Sequence, residues 1–570
     1  MTKSSIGTED KMSAIDANTL PLQRLYHWER ERADAVWLTQ PMGGGELREL
    51  TWREGADEVR RVAAYLRAQD WPAGSRIAIL GKNSAQWILA DLAIWMAGHV
   101  SVPLYPMQTA ANARQILEHC EAVACFVGKL DDWAGMKPAL DGIETIALPL
   151  SPPAAEPAPG MPLWDDIVAR TAPLAGQPTR AAEELATIIY TSGTTGQSKG
   201  VMHSFGTLTA AVTMGMQRAR LTSHDRMLSY LPLAHIAERA LVELGTLTSG
   251  MPLFFAESLD TFQADLQRAR PTVFFSVPRL WTKFQQGVNA KLPQPKLALL
   301  LKLPVIGGIV RRKVLTGLGL DQTRMAAGGA SPMPAELLRW WAALGLQITE
   351  AYGMTENAGI SQATLEHEFR PGTVGRSYDG VDCRIDPATG EIQMKSAGLM
   401  LGYYKAPELT REAFTADGWL HTGDKGLFEP DGNLRIIGRV KDNFKSSKGK
   451  YIAPAPIEDK LSRHPAIEAC CVVGANLEKA IGLVMLNEAA AKEPRTTLGA
   501  SLAEHLQQIN ATLDPHEQLA CIVVSDQPWS IEAGFLTPTF KIKRNRIEEA
   551  YEARFASWAG GREPVQWMGP

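Results

Sequence analysis

One stretch of eleven residues, "YTSGTTGQSKG" (190–200), combines hydroxyl side chains, three glycines and a single lysine. Glycines let a backbone close around phosphate oxygens, because they reach φ > 0 without strain. Thr191, Ser192, Thr194 and Thr195 supply hydroxyl donors around Gly193, and Lys199 supplies a compact positive charge. That vocabulary suits the holding of a nucleotide's phosphates. It differs from the common NTPase loop, in which Gly-Lys is followed at once by Ser or Thr. Here Lys199 follows Ser198 and precedes Gly200. The competing reading is a plain Ser/Thr/Gly turn.

Five further stretches carry residues capable of chemistry. "LPLAHIAER" (231–239) sets His235 among apolar neighbours, where a histidine also serves as a satisfied core residue. "GGAS" (328–331), with Gly329 and Ala330, precedes "ITEAYGMTE" (348–356), with Tyr352, Thr355 and Glu356. A strand running into such a turn suits an aromatic shelf for adenine beside a hard oxygen ligand for Mg²⁺. A capped helix start is the competing reading. "GWLHTGD" (418–424) ends in Asp424, and a carboxylate is the natural acceptor for a vicinal diol. "IIGRVKDNFKSSKGKYIAP" (436–454) contains Arg439, Lys441 and a basic loop, which by itself reads as solvated. "GFLTPTFKIKRNRIEEAY" (534–551) contains Lys541 and Lys543, each of which singly reads as a surface lysine.

Positioning these residues requires a layered scaffold. "LTWREGADEVRRVAAYLRAQDW" has helical spacing, "RIAILG" reads as a buried strand, "SAQWILADLAIWMAG" as a helix, and "VSVPLY" and "AVACFVG" as strands. That alternation predicts a parallel α/β sheet. "LATIIYTSG" then feeds a β-branched run into the glycine-rich loop, while "PLSPPAAEPAPG" (149–160) reads as a surface loop or linker. A second shift near Lys441 leads to "EACCVVG", "IGLVMLN" and "LACIVVS", short strands between polar helical stretches, which predicts a small α+β domain. The expected division is therefore 1–440 and 441–570.

Composition narrows the class. At 570 residues more than one core is expected. The 58 Lys and Arg against 62 Asp and Glu leave a charge of −4, which does not suggest a nucleic-acid partner. The N-terminal stretch is polar, so no cleaved signal is expected, and no apolar run is long enough to span a bilayer. Six scattered cysteines without CxxC or metal-type spacing read as reduced, mostly buried thiols of a cytoplasmic protein.

From about Leu50 to Tyr551, these motifs occur in an order that resembles the AMP-forming adenylating enzymes. That superfamily includes acyl-CoA synthetases, peptide-synthetase adenylation domains and firefly luciferase. The resemblance implies a large N-terminal adenylating domain of α/β sheets with a small β-barrel-like part, and a small mobile α+β C-terminal domain. It implies ATP, Mg²⁺ and coenzyme A as reactants or cofactors. By the same resemblance Tyr352 stacks on adenine, Thr355 touches the α-phosphate, Glu356 holds Mg²⁺, Asp424 accepts both ribose hydroxyls and Arg439 contacts the ribose. His235 lies near the carboxylate and the path of the thiol, and Lys441 is the hinge. A lysine near the C-terminus enters the adenylation site. The family's usual Gly-Lys is Phe540-Lys541 here, a departure; counting back from the apolar Ile547 favours Lys541, with Lys543 as the alternative.

"SVPRLWTKF" (276–284), "LPLAHIAER" and "SSKGKYIAP" look like the fatty-acyl branch, so a medium- to long-chain fatty acid is the favoured substrate. An aryl or short-chain acid, a carrier protein in place of coenzyme A, a P-loop NTPase and a catalytically silent nucleotide-binding protein are the other readings. Finally, "KLALLLKLPVIGGIVRRK" (296–313) reads as a helical hairpin or as a peripheral membrane contact, with apolar residues flanked by cations.

Overall fold

The computed structural model describes residues 15–150, 161–192, 198–364, 369–537 and 541–569. The chain divides into two units, one of 1–383 with 394–420 and one of 384–393 with 421–570.

In the first unit the predicted alternation appears as a seven-stranded sheet. Its order is Gly402–Tyr403, Ser198–Ser204, Leu185–Ser192, Val100–Leu104, Arg76–Leu80, Ala122–Val127 and Glu144–Ala147. The strands from Leu185–Ser192 through Glu144–Ala147 are parallel neighbours. Helix Ala85–Ala97 is buried at every position, as its almost unbroken apolar sequence requires. Ser84 caps its first turn, and Gly98, at φ 93°, ends it in the left-handed conformation. Helix Trp52–Arg67 starts with a reciprocal capping box between Thr51 and Glu54. Its Trp52 stacks on Trp37 with ring centres 4.2 Å apart.

A five-stranded sheet follows, in the order Val273–Ser276, Met325–Gly329, Ile348–Tyr352, Gln362–Ala363, Arg376–Ser377. Its first three strands are parallel, so the ends of Met325–Gly329 and Ile348–Tyr352 lie side by side. Those ends carry the two candidate nucleotide turns.

The second unit contains the sheet Ile467–Val473, Ala480–Leu486, Leu519–Val524, Val565–Trp567, with helices Pro454–Leu461, Arg495–Asn510 and Arg544–Ala559. Three of these strands are the short apolar runs noted above. All six cysteines are free thiols, five of them buried.

Candidate active site

The glycine-rich stretch is not followed by a helix. Leu185–Ser192 returns as the antiparallel strand Ser198–Ser204, with Thr191 opposite Lys199 and Tyr190 opposite Gly200. Gly200 is required there, since a Cβ would come within 2.7 Å of Ile188 and 3.1 Å of Tyr190. Gly193, Thr194 and Thr195, and the side chain of Ser192, lie outside the described residues. Thr191 and Lys199 are partly buried at the described ends of the loop.

Three segments are stitched together beside this hairpin. Tyr404 N–H donates to Gly200 O (2.7 Å), Leu401 N–H to Met202 O (2.9 Å) and Met400 N–H to Glu356 O (2.8 Å). The Lys199 ammonium lies 5.2 Å from the centre of the Tyr403 ring, within cation–π range. The Tyr403 hydroxyl donates to one carboxylate oxygen of Glu356 at 2.9 Å. Burial, and then the Glu356 charge, push the tyrosine hydroxyl well above its ordinary pKa, so it remains a donor. Lys199 and Glu356 are thus joined through a single aromatic side chain.

The turn that bears Thr355 and Glu356 is closely packed. A Cβ on Gly353 would lie 2.2 Å from Gly359 O, so only glycine fits. Ala358 closes the short 3₁₀ turn Thr355–Asn357 at φ 53°. On the adjacent strand end, Gly329 faces Ala351 O so closely that a Cβ would sit 2.8 Å from it. Ala330 then adopts φ 67°, an uncommon conformation for a residue with a Cβ. Such backbone strain concentrates at ligand sites. Tyr352 is partly buried at the end of its strand.

His203 was not among the sequence candidates. It is fully buried, its Nε2 donates to Thr355 O at 2.7 Å, and its Nδ1 lies 3.1 Å from Thr207 Oγ1. A carbonyl can only accept, so Nε2 carries the proton. Burial lowers the pKa to about 4, and the ring is neutral at physiological pH. It ties Ser198–Ser204, the second strand of the glycine-rich hairpin, to the Thr355 turn.

His235 is the N-cap of the short helix Ile236–Glu238, its Nδ1 accepting from Ala237 N–H at 3.2 Å. In the neutral ring the proton is then on Nε2. The same motif hides a buried charge cluster. Arg239 is 1% exposed, ion-paired to Asp91, 3.2 Å from Glu243 and hydrogen-bonded to Thr187 at 2.6 Å. Burial opposes the guanidinium charge, but Asp91 and then Glu243 hold its pKa above the usual value. Burial, and next the Asp91 charge, raise the Glu243 carboxyl well above its ordinary range. Glu238, also buried, accepts from Ser229 Oγ (2.9 Å) and Tyr230 N–H (3.0 Å), and burial lifts it to about 8. These groups fix the segment that carries His235 to the strand leading into the glycine-rich loop.

In the second unit, Asp424 and Arg439 face each other across the hairpin Leu420–Phe428/Leu434–Arg439. Arg439 Nε lies 3.2 Å from Asp424 Oδ1, and Asp424 N–H donates to Thr422 Oγ1 at 3.1 Å. The pairing orients the Asp424 carboxylate. Lys441 is exposed in the turn after Arg439. Lys541 is exposed, and 538–540 before it lie outside the described residues; Leu536 and Ile542 form a bridge, Thr537 N–H donates to Lys541 O (2.8 Å) and Lys541 N–H to Thr537 Oγ1 (3.0 Å). Lys543 instead stands at the N-cap of helix Arg544–Ala559, partly buried. Desolvation, and then Arg546, lower its pKa.

Comparison with known proteins decides the assignment. Residues 25–404 match the model of the AMP-binding enzyme, and residues 441–557 that of the AMP-binding enzyme C-terminal domain. The chain belongs to the AMP-binding enzyme family. It is 29% identical to a long-chain-fatty-acid–CoA ligase of Mycobacterium bovis, over 96% of each chain. It is 28% identical to the peroxisomal long chain acyl-CoA synthetase 7 of Arabidopsis thaliana, over 90% of this chain and 82% of that one. Its fold is similar to an anthranilate CoA ligase solved with anthranoyl-AMP (TM-score 0.76, 21% identity, 95% and 98% of the two chains). It is also similar to the adenylation domain of a carboxylate reductase from Mycobacterium chelonae (TM-score 0.77, 21% identity, 97% and 93%).

For an AMP-binding enzyme, a magnesium site must be compatible with the residues present. Glu356 is 9% exposed, and Tyr403 engages one of its oxygens, which leaves the other to a hard cation. Magnesium in nucleotide sites usually takes one or two carboxylates, with phosphate and water oxygens completing its shell. Among the described residues no cluster of three or more His, Cys, Asp or Glu could hold an ion by protein ligands alone. One buried carboxylate, linked through Tyr403 to Lys199, fits the shared mode of binding.

Within the first unit the structure brings Thr191, Lys199, Thr355 and Glu356 into one connected network. Within the second it pairs Asp424 with Arg439. Sequence reasoning missed Tyr403 and His203. The aromatic pair of "GYYKAPE" after a glycine, and a histidine in the strand directly behind the loop, were the available signals.

Proposed function

We propose that this AMP-binding enzyme activates a medium- to long-chain fatty acid with ATP and transfers the acyl group to coenzyme A. The fatty carboxylate attacks the α-phosphorus of ATP, the bond to the bridging oxygen breaks, and pyrophosphate leaves. The coenzyme A thiolate then attacks the acyl carbon, and AMP leaves with the electron pair of the broken C–O bond. Both substrates of the first step are anionic, so the barrier is largely charge repulsion and positioning.

Lys199 and the hydroxyls of Thr191, Ser192, Thr194 and Thr195, with Gly193, hold the β- and γ-phosphates. Thr355 meets the α-phosphate. Tyr352 stacks on adenine beside the main chain of Gly329 and Ala330, and Asp424, oriented by Arg439, accepts both ribose hydroxyls. Glu356 holds Mg²⁺, which when bound supplies neutralising charge to the phosphates. The Lys541 ammonium compensates charge at the reacting α-phosphate and carboxylate. His235 stands near the acyl carboxylate and the thiol path. Domains 1–440 and 441–570 alternate between the half-reactions about Lys441, and 296–313 makes a peripheral contact with lipid.

The observation that supports this reading best is the Lys199–Tyr403–Glu356 chain. It joins a phosphate cation to a metal carboxylate within one rigid network. The names of relatives matched over nearly the full chain support the fatty-acid substrate. The test is acid-dependent pyrophosphate release over a series of chain lengths, with and without coenzyme A. AMP and an acyl thioester are expected from medium and long acids. ADP as product, or no acid dependence, contradicts the reading.

A further inference from the structure

Helices Gln294–Lys302 and Ile306–Leu318 form a hairpin joined by Leu303, Pro304 and Val305. Gly307 makes it tight, because a Cβ there would lie 2.6 Å from Leu301 O. One side packs inward through Leu297, Leu301, Val310, Val314 and Leu318. The other side is unusual. Leu299 is 63% exposed, Leu303 39%, Val305 80%, Ile306 44% and Ile309 62%. These are five large apolar side chains within eleven residues at one tip. Val305 is moreover held at φ 66°, a genuine outlier for a β-branched residue, with its side chain in the open.

The hairpin is basic: from Leu266 to Leu320 the sequence carries ten Lys and Arg and no Asp or Glu, although the whole chain is net −4. Of these ten, Arg268 and Arg270 pair with the flanking Asp265 and Asp321. Lys296, Lys302, Arg312 and Lys313 are exposed on the hairpin itself. Arg311 is different, since it donates to Ala343 O at 3.0 Å and so helps to anchor the helix.

We propose that this tip docks on an anionic lipid surface. Leu299, Leu303, Val305, Ile306 and Ile309 dip into the boundary between headgroups and acyl chains, and the four cations meet lipid phosphates. An apolar tip alone would also suit a second copy or a protein partner, but four exposed cations on the same hairpin, with no Asp or Glu from 296 to 313, complement an anionic bilayer. Among the described residues no helix is long and apolar enough to cross a membrane, so the contact is peripheral. The proposal rests on the fatty-acid reading above for its purpose, which is to collect a substrate that partitions into lipid.

The test is partition of the full chain onto vesicles of phosphatidylglycerol and phosphatidylcholine, without ATP, acid or coenzyme A. Binding to the lipid and turnover of octanoate are thus read separately, and either can fail alone. The parent should bind these vesicles, prefer them to pure phosphatidylcholine, and release them at high salt. Arg312→Gln with Lys313→Gln should weaken partition by about thirtyfold. Ile306→Ser with Ile309→Ser should weaken it by about tenfold or more. Both pairs should keep the parent's octanoate activity, which reports a folded enzyme. A parent that binds neither vesicle, variants that bind as the parent does, or a dimer that Ile306→Ser with Ile309→Ser dissociates in the absence of lipid, would overturn the proposal.

Discussion

Glu356 and Lys541 bear opposite charges and are held in opposite ways. Glu356 is 9% exposed, its main chain accepts from Met400, its carboxylate accepts from Tyr403, and the neighbouring Thr355 carbonyl is held by a buried histidine. Lys541 is exposed, with two hydrogen bonds to Thr537 beside the Leu536–Ile542 bridge. A metal carboxylate has to be oriented before its ligand arrives, because preorganisation is what makes charge stabilisation effective. In the proposed function a cation needed in only one of two half-reactions has to be able to move, which an exposed side chain allows. In the proposed function the difference separates a preorganised phosphate-holding network from a catalytic contact made in one half-reaction.

The largest effect is expected at the rigid end. Glu356→Gln keeps an acceptor for the Tyr403 hydroxyl and removes the charge proposed to hold magnesium. Acid-dependent pyrophosphate release should fall about 100- to 1000-fold, with partial recovery at raised Mg²⁺. An activity equal to the parent's at low Mg²⁺ would transfer the ligand role elsewhere.

His203→Phe probes the support beneath the same turn. It leaves the Thr355 carbonyl buried without its donor, at a cost of about 1–3 kcal/mol. The kcat for adenylation should drop about tenfold while the KM for the acid stays near the parent value. His203→Gln, which can still donate, should restore most of kcat. If both variants lose only thermal stability, His203 is a core residue and the comparison loses one of its supports.

The smallest effect is a pH slope. Folding raises the Glu238 carboxyl from about 4.5 to about 8, so the folded chain keeps a proton that the unfolded chain has lost. Its contribution to stability is full below about 4.5 and is lost as pH rises towards 8, and the total change is on the order of a few kcal/mol. Glu238→Gln keeps an acceptor for Ser229 and Tyr230 and has no proton to lose. Its Tm should gain on the parent's as pH rises through that window, and a constant difference would show that Glu238 is not ionising there.

Much of the scaffold was legible because it is local. "RIAIL", "AVACFV" and "LATIIYTS" are β-branched or apolar runs bounded by turn residues, and they form strands. Asp424 and Arg439 were expected together by resemblance, and they pair across one hairpin. What remained hidden depends on distant partners. Arg439 stays exposed, but Arg239 is buried because the fold brings Asp91, which lies 148 residues earlier, against it. His203 gains its meaning from a carbonyl 152 residues away. The second unit takes in 384–393, since Glu391 accepts from Gly423 N–H and pairs with His421. A linear reading that cuts near Lys441 has no local signal for that excursion.

The most direct test separates the two half-reactions in Lys541→Ala. Acid-dependent pyrophosphate release should fall about 100- to 1000-fold. Given ready-made acyl-adenylate and coenzyme A, the same variant should form thioester at close to the parent's rate, and Lys543→Ala should leave both steps nearly unchanged. Equal losses in both steps of Lys541→Ala, or a selective loss of adenylation only in Lys543→Ala, would contradict the account.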